Sequence, residues 1–359
     1  MIQRVKRLIN KLSLLWNADR MADPSDDPSI AVIVPVRNMA RTVRDLLDSL
    51  MKLDYDEDKL EIVFVDGNST DGTRKIIEEY PVKLVDEEGR GLNAARNTGI
   101  KHSKGEILAY TDGDCVVPPE WAKGIARNFR EPGVSFVGGM VKGYDEVDFI
   151  STYMDETFFQ VKPSFSGRHK VNELYLFNFP AGCNMAFRRK ALEKIDFFDE
   201  RIDHGFDDLF PVEKLSDRGF SLVLDTNVRV FHQHRTDLRE LLKQHYNYGR
   251  GGSLLLVHRS SSRLAHWFST YLFTSTFGIS LFILLIWTSL YWPKMLPLNF
   301  GIGFYTFGFM VLISFYLGTA IKSRSLRKLI LYPILDVARG FFFTMGGIAQ
   351  LLRIIFRRS

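Results

Sequence analysis

Four short apolar runs alternate with helical patterns between residues 30 and 110, and this alternation restricts the fold more than any other feature of the chain. Residues 30–34 are mostly β-branched and are closed by Pro35; residues 61–65, 82–85 and 106–110 repeat the strand pattern. Thr42 with Asp45 predicts a capped helix reaching to about Leu53, a short helix follows Gly67-Asn-Ser-Thr-Asp-Gly72, and residues 94–101 read as a third. Strand–helix–strand units of this length predict a parallel, Rossmann-like α/β sheet. No Gly-x-Gly-x-x-Gly opens the first helix, which disfavours a dinucleotide redox enzyme.

The fourth run ends abruptly in Gly105-Glu-Ile-Leu-Ala-Tyr-Thr-Asp-Gly-Asp114. Carboxylates at the mouth of a buried strand stand where open α/β sheets bind ligands. Asp112 and Asp114 can converge on one cation because Gly113 lets the turn tighten. A hard cation held by one or two carboxylates, Mn2+ or Mg2+, keeps positions free for diphosphate oxygens, which is a way to grip a nucleotide-diphosphate sugar. Alone, such a pair is more often a solvated turn. The neighbouring segments decide the matter.

Past Trp121 the pattern loosens. Residues 135–141, 181–189 and 222–231 read as further strands, and residues 145–170 as a polar, aromatic-rich stretch with a flexible loop at 163–168. The formal charge of +5 does not suggest a nucleic-acid partner. The only cysteines, Cys115 and Cys183, lack metal-ligand spacing and fit a reducing compartment. The first twenty residues lack the continuous apolar core of a cleavable signal.

The basic residues crowd beside apolar segments, which points to a membrane. Residues 1–22 hold a basic amphipathic helix, with Ile2, Val5, Leu8, Ile9, Leu12, Leu15 and Trp16 on one stripe, followed by a linker over 23–29. That helix either lies in the membrane interface or packs on the soluble domain. Residues 268–292 and 295–321 are uncharged and long enough to span a bilayer. Arg250, Arg259 and Arg263 precede the first run, and Lys322, Arg324, Arg327 and Lys328 follow the second. The positive-inside rule then puts the catalytic portion and the 322–328 loop in the cytoplasm of a multi-pass cell-membrane protein. Residues 329–355 carry Pro333, Asp336, Arg339 and Arg353, charges costly in mid-bilayer, so this segment reads as a re-entrant or interfacial helix.

Several segments together resemble the family 2 inverting glycosyltransferases with the GT-A fold, including those acting on polyprenyl- or dolichyl-linked sugars. They are Val32-Ile-Val-Pro-Val-Arg-Asn38, Val65-Asp-Gly-Asn-Ser-Thr-Asp-Gly-Thr73, Gly91-Leu-Asn-Ala-Ala-Arg-Asn-Thr-Gly99, Asp112-Gly-Asp114, Gly182-Cys-Asn-Met-Ala-Phe-Arg-Arg189 and Asp207-Asp208. The resemblance, which covers roughly residues 30–252, implies a GT-A domain over 30–235; the apolar and charge pattern adds an interfacial amphipathic segment over 236–263, two transmembrane helices over 264–321, and a basic loop with a re-entrant or interfacial helix over 322–359. The resemblance places Pro35, Val36, Asn38, Asp66 and Asn68 around the nucleoside, with Asp112, Gly113 and Asp114 on the diphosphate and metal. Asp66 either accepts hydrogen bonds from a base or ribose or caps a turn. Similar proteins often carry two consecutive aspartates there, where this chain has Asp66-Gly67. Arg90 or Arg96 either offsets diphosphate charge, meets the base edge or is a surface arginine. Gly182 and Asn184 fall on the acceptor side.

Inverting transfer needs a general base for the acceptor and a Lewis acid for the leaving diphosphate. The family's acidic pair is followed at fixed distance by a basic residue and a glycine, which Lys214 and Gly219 match. That register assigns Asp208 as base and Asp207 as the neighbour that orients acceptor or base, with aspartate at 207 where glutamate is usual. In Val230-Phe-His-Gln-His-Arg235, similar enzymes have a histidine that completes the metal shell or contacts the diphosphate; His232 or His234 either does this or is structural, and they are expected to alternate faces on a strand so that at most one points inward. Tyr246-Asn-Tyr-Gly-Arg-Gly251 resembles the family's motif between catalytic domain and membrane. It departs from the Gln-x-x-Arg-Trp motif of processive synthases, since Gln244 and Arg250 are wrongly spaced and no Trp follows. The resulting expectation is a membrane-bound, metal-dependent inverting glycosyltransferase acting on a lipid-linked acceptor, a polyprenyl phosphate or lipid-linked oligosaccharide. The rivals are a processive polysaccharide synthase and a non-catalytic scaffold of the same fold. A nucleotidyltransferase is disfavoured because no Gly- and Arg-rich loop follows the first strand. The motifs leave the sugar, the nucleobase and the number of subunits open.

Overall fold

The computed structural model describes residues 27–144, 148–157, 167–172, 181–202, 204–291 and 297–358. The amphipathic helix expected near the N-terminus, most of the linker after it, and residues 163–166 of the expected flexible loop lie outside these.

The first half alternates as expected: β1 (Ile30–Val36), α1 (Val43–Leu50), β2 (Leu60–Asp66), α2 (Thr73–Ile77), β3 (Lys83–Asp86), α3 (Leu92–Lys101) and β4 (Ile107–Tyr110). Next come β5 (Cys115–Val116), α4 (Trp121–Phe129), β6 (Val134–Gly143), α5 (Phe149–Glu156), β7 (Arg168–Val171), β8 (Met185–Arg188), α6 (Arg189–Lys194), α7 (Leu209–Asp217) and β9 (Ser221–His232). Four long or apolar helices close the chain: α8 (Leu238–His258), α9 (Arg263–Tyr291), α10 (Pro297–Ser323) and α11 (Leu326–Arg358).

The sheet order is β3-β2-β1-β4-β8-β6-β9-β5, with β7 paired to β9. β3, β2, β1 and β4 are mutually parallel, and β8 enters antiparallel to β4 and β6. β1 is buried along its whole length because both sheet faces are covered. On one face Leu46, Leu47, Trp121 and Phe129 of α1 and α4 pack on Val32, Val34 and Ile107. On the other, Ala95, Leu192 and Leu215 of α3, α6 and α7 pack on Ile33, Val63 and Leu108. The chain leaves β1 toward β2 on one side and returns in β4 on the other, so a crevice opens at the carboxyl ends of these strands.

Several boundaries differ from expectation. The stretch over 145–170 contains α5, whose N-terminus is fixed by a capping box between Asp148 and Ser151, and Arg168, placed in the expected loop, opens β7. Only Met185–Arg188 of the strand expected over 181–189 is extended. Thr42 does not cap α1; the helix ends at Leu50, and Thr42 Oγ1 instead donates to Gly113 O at 2.9 Å. That bond ties the start of α1 to the turn between the two aspartates.

Three stretches, Arg263–Thr288, Tyr305–Ser323 and Leu326–Phe356, are long and apolar enough to cross a membrane. Only 6% and 11% of the first two are buried within the protein, against 39% of the third. α11 is one continuous helix that passes Pro333 without a break, not a hairpin. Two of the charges that argued against burying it, Asp336 and Arg339, have partners. Asp336 Oδ1 accepts from Tyr153 (2.5 Å) and Thr157 (2.6 Å), and Oδ2 from Tyr316. Arg339 donates to Tyr153 and Thr157 at 3.0 Å and to His245 Nε2 at 2.8 Å. His245 Nδ1 lies 2.9 Å from Leu241 O, so that nitrogen carries the proton and the ring is neutral, in line with a pKa pushed down to about 3 by burial and then by Arg339. The two charges offset each other within α11, Arg339 Nη1 lying 3.5 Å from Asp336 Oδ1, and neutral groups on or beside α5, α8 and α10 supply the remaining hydrogen bonds that a buried pair needs.

A candidate active site at the carboxyl ends of the central strands

β1 and β2 run in register to Val36 opposite Asp66, so the loops after them lie side by side. Side chains lace them together. Asn38 Oδ1 accepts from Thr70 N and Asn38 N donates to Ser69 Oγ, both at 2.9 Å. Asp71 Oδ2 accepts from Ala40 N at 3.0 Å. Asn38 and Asn68 take positive φ (55° and 62°), which asparagine tolerates well. Asp66 is buried and occupied: Oδ1 accepts from Ser69 N (3.1 Å) and Oγ (2.6 Å), and Oδ2 lies 3.4 Å from Arg74. Of its two sequence readings, the turn is the one present. Pro35 and Val36 are buried at the strand end, with Val36 O already bonded to Gly67 N at 2.8 Å. Asn68 is exposed, as is Arg90 in the turn before α3.

A second group converges from distant segments. Arg96 of α3 is 2% exposed, not a surface residue. Its Nη1 donates to Asp207 Oδ2 at 2.7 Å and Asn93 Oδ1 at 3.0 Å, and its guanidinium stacks 5.3 Å from the Phe198 ring centre. Asp207 and Asp208 precede α7 on a tight loop in which His204, Gly205 and Phe206 have φ of 66°, 131° and 63°. Left-handed backbone at two non-glycine residues stores strain of a kind found at functional sites. Burial, then the charge of Asp207, pushes Asp208 up to about 6, opposed by Arg96 and the Gly182 N–H. A Cβ at Gly182 would stand 2.9 Å from both Arg96 Nη2 and Asp208 Oδ2, so a side chain there would crowd both. Burial, then Asp114, likewise raises Asp112 to about 7, again opposed by Arg96.

The third group forms because β5 pairs with β9, placing Cys115 opposite His232, and Gln233 N donates to Asp114 O at 2.8 Å. His232 Nε2 lies 3.3 Å from Asp114 Oδ1, an oxygen that is buried and receives no hydrogen bond. Potential donor atoms of Asp114, Cys115 and His232 fall within 4.8 Å of one another; Asp112 is outside that group. The Cys115 thiol belongs to the core, buried against Cys183 with its pKa raised by that burial, and soft sulfur suits a hard cation poorly. Burial lowers the pKa of His232, which keeps its ring in the neutral form a metal requires. A carboxylate oxygen lacking a donor beside a neutral imidazole fits a divalent cation. The expectation that the two histidines face opposite ways is not met: residues i and i+2 share a strand face, and both rings lie on one side at the end of β9, with Nδ1 atoms 3.2 Å apart.

Other assignments change. Asn184 is 1% exposed, accepts from Trp121 Nε1 (2.9 Å) and donates to Met140 O (2.9 Å) and Val228 O (3.0 Å), so it is a structural clamp and not an acceptor ligand. Lys214 donates to Ile195 O, tying α7 to the end of α6. Arg250 faces Gln350 of α11 at 3.2 Å. Sequence reasoning did not single out Arg235, which is half-buried, has no hydrogen-bond or ion-pair partner among the described residues, and acts by charge on His232 and Tyr248.

A crevice at the strand switch point, a candidate cation site and an arginine-held carboxylate pair together define a GT-A type of sugar-transfer scaffold. The glycosyl transferase family 2 profile matches residues 31–196. Glycosyltransferase AglE of Haloferax volcanii is 31% identical over 232 residues, covering 62% of this chain and 73% of that protein. The chain belongs to glycosyl transferase family 2. The uncharacterized glycosyltransferase EpsJ of Bacillus subtilis is 23% identical over 222 residues, covering 60% of this chain and 64% of EpsJ. Mannosyltransferase PcManGT from Pyrobaculum calidifontis, solved with GDP-Man and Mn2+, shares the fold at a TM-score of 0.59 and 22% identity, with 95% and 94% of the two chains covered.

Proposed function

We propose that the protein is a metal-dependent, inverting glycosyltransferase that moves a sugar from a nucleotide-diphosphate sugar to a lipid-linked acceptor at a membrane face. The observation that carries this is that Asp112 lies within reach of the charges of Asp114, Asp207 and Asp208 at once, as Tyr248 of α8 does of Asp112, Asp207 and Asp208, while α8 itself packs on the apolar helices. PcManGT holds GDP-Man and Mn2+ in a similar fold, which supports a nucleotide-sugar donor and a divalent cation, Mn2+ or Mg2+.

In this reading Asp114 and His232 hold the cation with Asp112 alongside, and the loops after β1 and β2 cradle the nucleoside. The cation would supply Lewis acidity to the departing diphosphate. Asp208 takes the proton of the acceptor hydroxyl as its oxygen bonds to the anomeric carbon and the bond to the diphosphate breaks from the opposite face. One displacement inverts the configuration. Arg96 fixes Asp207 and favours the ionised form of Asp208. A phosphate monoester is already largely ionised near neutral pH, with a second pKa of about 6, and gains little from such a base. A base poised at about 6 is of use to a hydroxyl, which favours a lipid-linked saccharide over a bare polyprenyl phosphate.

The catalytic portion then sits in the cytoplasm against the membrane, with the unpartnered Arg235 near the crevice to meet acceptor or diphosphate charge. Radiolabelled UDP- and GDP-sugars offered with a membrane lipid extract, with Mn2+ or with chelator, test the proposal. A chloroform-soluble, chelator-sensitive product is expected. Nucleotide binding without any lipid product would move the acceptor to a free glycan or protein; neither binding nor transfer would leave a scaffold.

A further inference from the structure

We propose that His234 and Asp155 are positioning residues that fix the tautomer and orientation of His232 so that it can complete the metal shell beside Asp114. The inference rests on the metal-dependent reading above. His232 turns Nε2 toward Asp114 Oδ1 (3.3 Å) and Nδ1 toward His234 Nδ1 (3.2 Å). His234 turns its other nitrogen, Nε2, to Asp155 Oδ1 at 3.1 Å. All three side chains are largely buried, at 18%, 12% and 12% exposure, so water is a poor substitute for any of these partners.

The proton order along the line is determined from its far end. A carboxylate only accepts, so when His234 carries a single proton Asp155 fixes it on Nε2 and leaves Nδ1 as an acceptor. Nδ1 of His232 must then carry its own proton and donate it to His234. The lone pair of His232 is left on Nε2, facing Asp114, where a cation would bind it. Reversing the His234 tautomer would place a proton between the two Nδ1 atoms and drive that of His232 onto Nε2, blocking the ligand position. Metal-bound histidines commonly depend on such outer partners; here the carboxylate acts through a second imidazole.

Asp155 is itself held firmly. Gly143 N lies 3.2 Å from both of its oxygens. It stands on α5, whose Tyr153 and Thr157 neighbours grip Asp336 and Arg339 of α11, and whose Glu156 pairs with Lys328 at 2.8 Å and accepts from Tyr332 at 2.9 Å. The end of the proton line is therefore anchored on the apolar helices rather than on a loose loop.

The test uses the full chain in nanodiscs. Mn2+ affinity is measured by the loss of the free-ion EPR signal, with UDP or GDP present, and imidazole ligation by nitrogen modulation of the bound-ion signal. Modulation is expected in the parent and not in His232→Ala. Asp155→Ala and His234→Phe are expected to weaken Mn2+ binding about 10- to 100-fold, while Asp155→Asn, which keeps an oxygen facing His234, recovers most of the loss. If the alanine variant fails to fold, Asp155→Asn and His234→Gln decide the question, with the glutamine variant weakened and the asparagine variant near parent. Mn2+ affinity within twofold of the parent in every folded Asp155 and His234 variant would overturn the positioning role and leave the metal-dependent reading standing. Modulation that survives His232→Ala would overturn it equally. A parent that binds no Mn2+ with either nucleotide would overturn both.

Discussion

At the scale of single residues, the site is a balance of charges around Arg96. Its guanidinium, sealed between Asp207 and the Phe198 ring, opposes the rise that burial imposes on Asp208 and Asp112. Asp208 is raised to about 6, so its basic form grows in as pH rises through that value, and transfer should rise with it. Arg96→Gln removes the opposing charge and should move this limb to higher pH, seen in a kcat/KM profile between pH 5 and 8. The same shift bears on stability. A folded-state pKa above the unfolded one means the folded form binds the proton more tightly, so stability declines as pH rises from the unfolded value toward about 6. Asp208→Asn should therefore gain on the order of 1 kcal/mol at neutral pH, visible as a higher melting temperature, while losing activity. Asn184 makes the opposite case. Asn184→Ala strands the Trp121 N–H and two carbonyls, and should cost about 2–4 kcal/mol in chemical denaturation. Acceptor KM should stay unchanged in whatever fraction folds.

At the scale of elements, the strand–helix rhythm of residues 30–110 was legible because each run is both apolar and bounded by turn residues, and β1 to β4 fall within two residues of expectation. Asp112 and Asp114 stood out in the sequence at the end of the fourth strand, and Asp207 and Asp208 through the register they share with the family's acidic pair. What joins them did not. The histidine pair was misjudged because strand positions two apart share a face, so His232 and His234 meet rather than diverge. The burial of Arg96 and the clamp made by Asn184 were hidden because burial depends on what packs from distant segments: Asp207 lies 111 positions from Arg96, and Trp121 63 from Asn184. Thr42 looked like a cap because capping chemistry is local, whereas its actual partner, Gly113 O, is not. The α8–α11 contact was equally hidden. A Cβ at Gly249 would fall 1.8 Å from Phe343 O, and one at Gly346 1.9 Å from Tyr246 O, so the two backbones touch. Gly205, in the strained loop before Asp207, in turn approaches the α8 backbone at Tyr248. Gly249→Val should cost about 3 kcal/mol by overpacking. It should also lower kcat more than donor affinity, because the helix that supports the Asp207–Asp208 loop is displaced; a kinetic comparison with parent in detergent checks this.

At the scale of the whole molecule, a nucleotide-sugar type of domain and a set of apolar helices are joined by a buried polar contact rather than by a linker. Asp336 and Arg339 receive partners from α5, α8 and α10 at once. Asp336→Ala leaves Arg339 uncompensated and should cost about 3–5 kcal/mol, measured as thermal stability in detergent. Such a joint suits an enzyme whose acceptor arrives in the membrane while its donor arrives from solution. The most direct measurement compares parent, Asp208→Asn and Asp114→Ala in lipid, each assayed for sugar transfer and for Mn2+-dependent nucleotide binding. Asp208→Asn is expected to bind nucleotide and not transfer, and Asp114→Ala to do neither. Transfer by Asp208→Asn, or metal-independent transfer by Asp114→Ala, would contradict the assignment of base and cation to these two carboxylates.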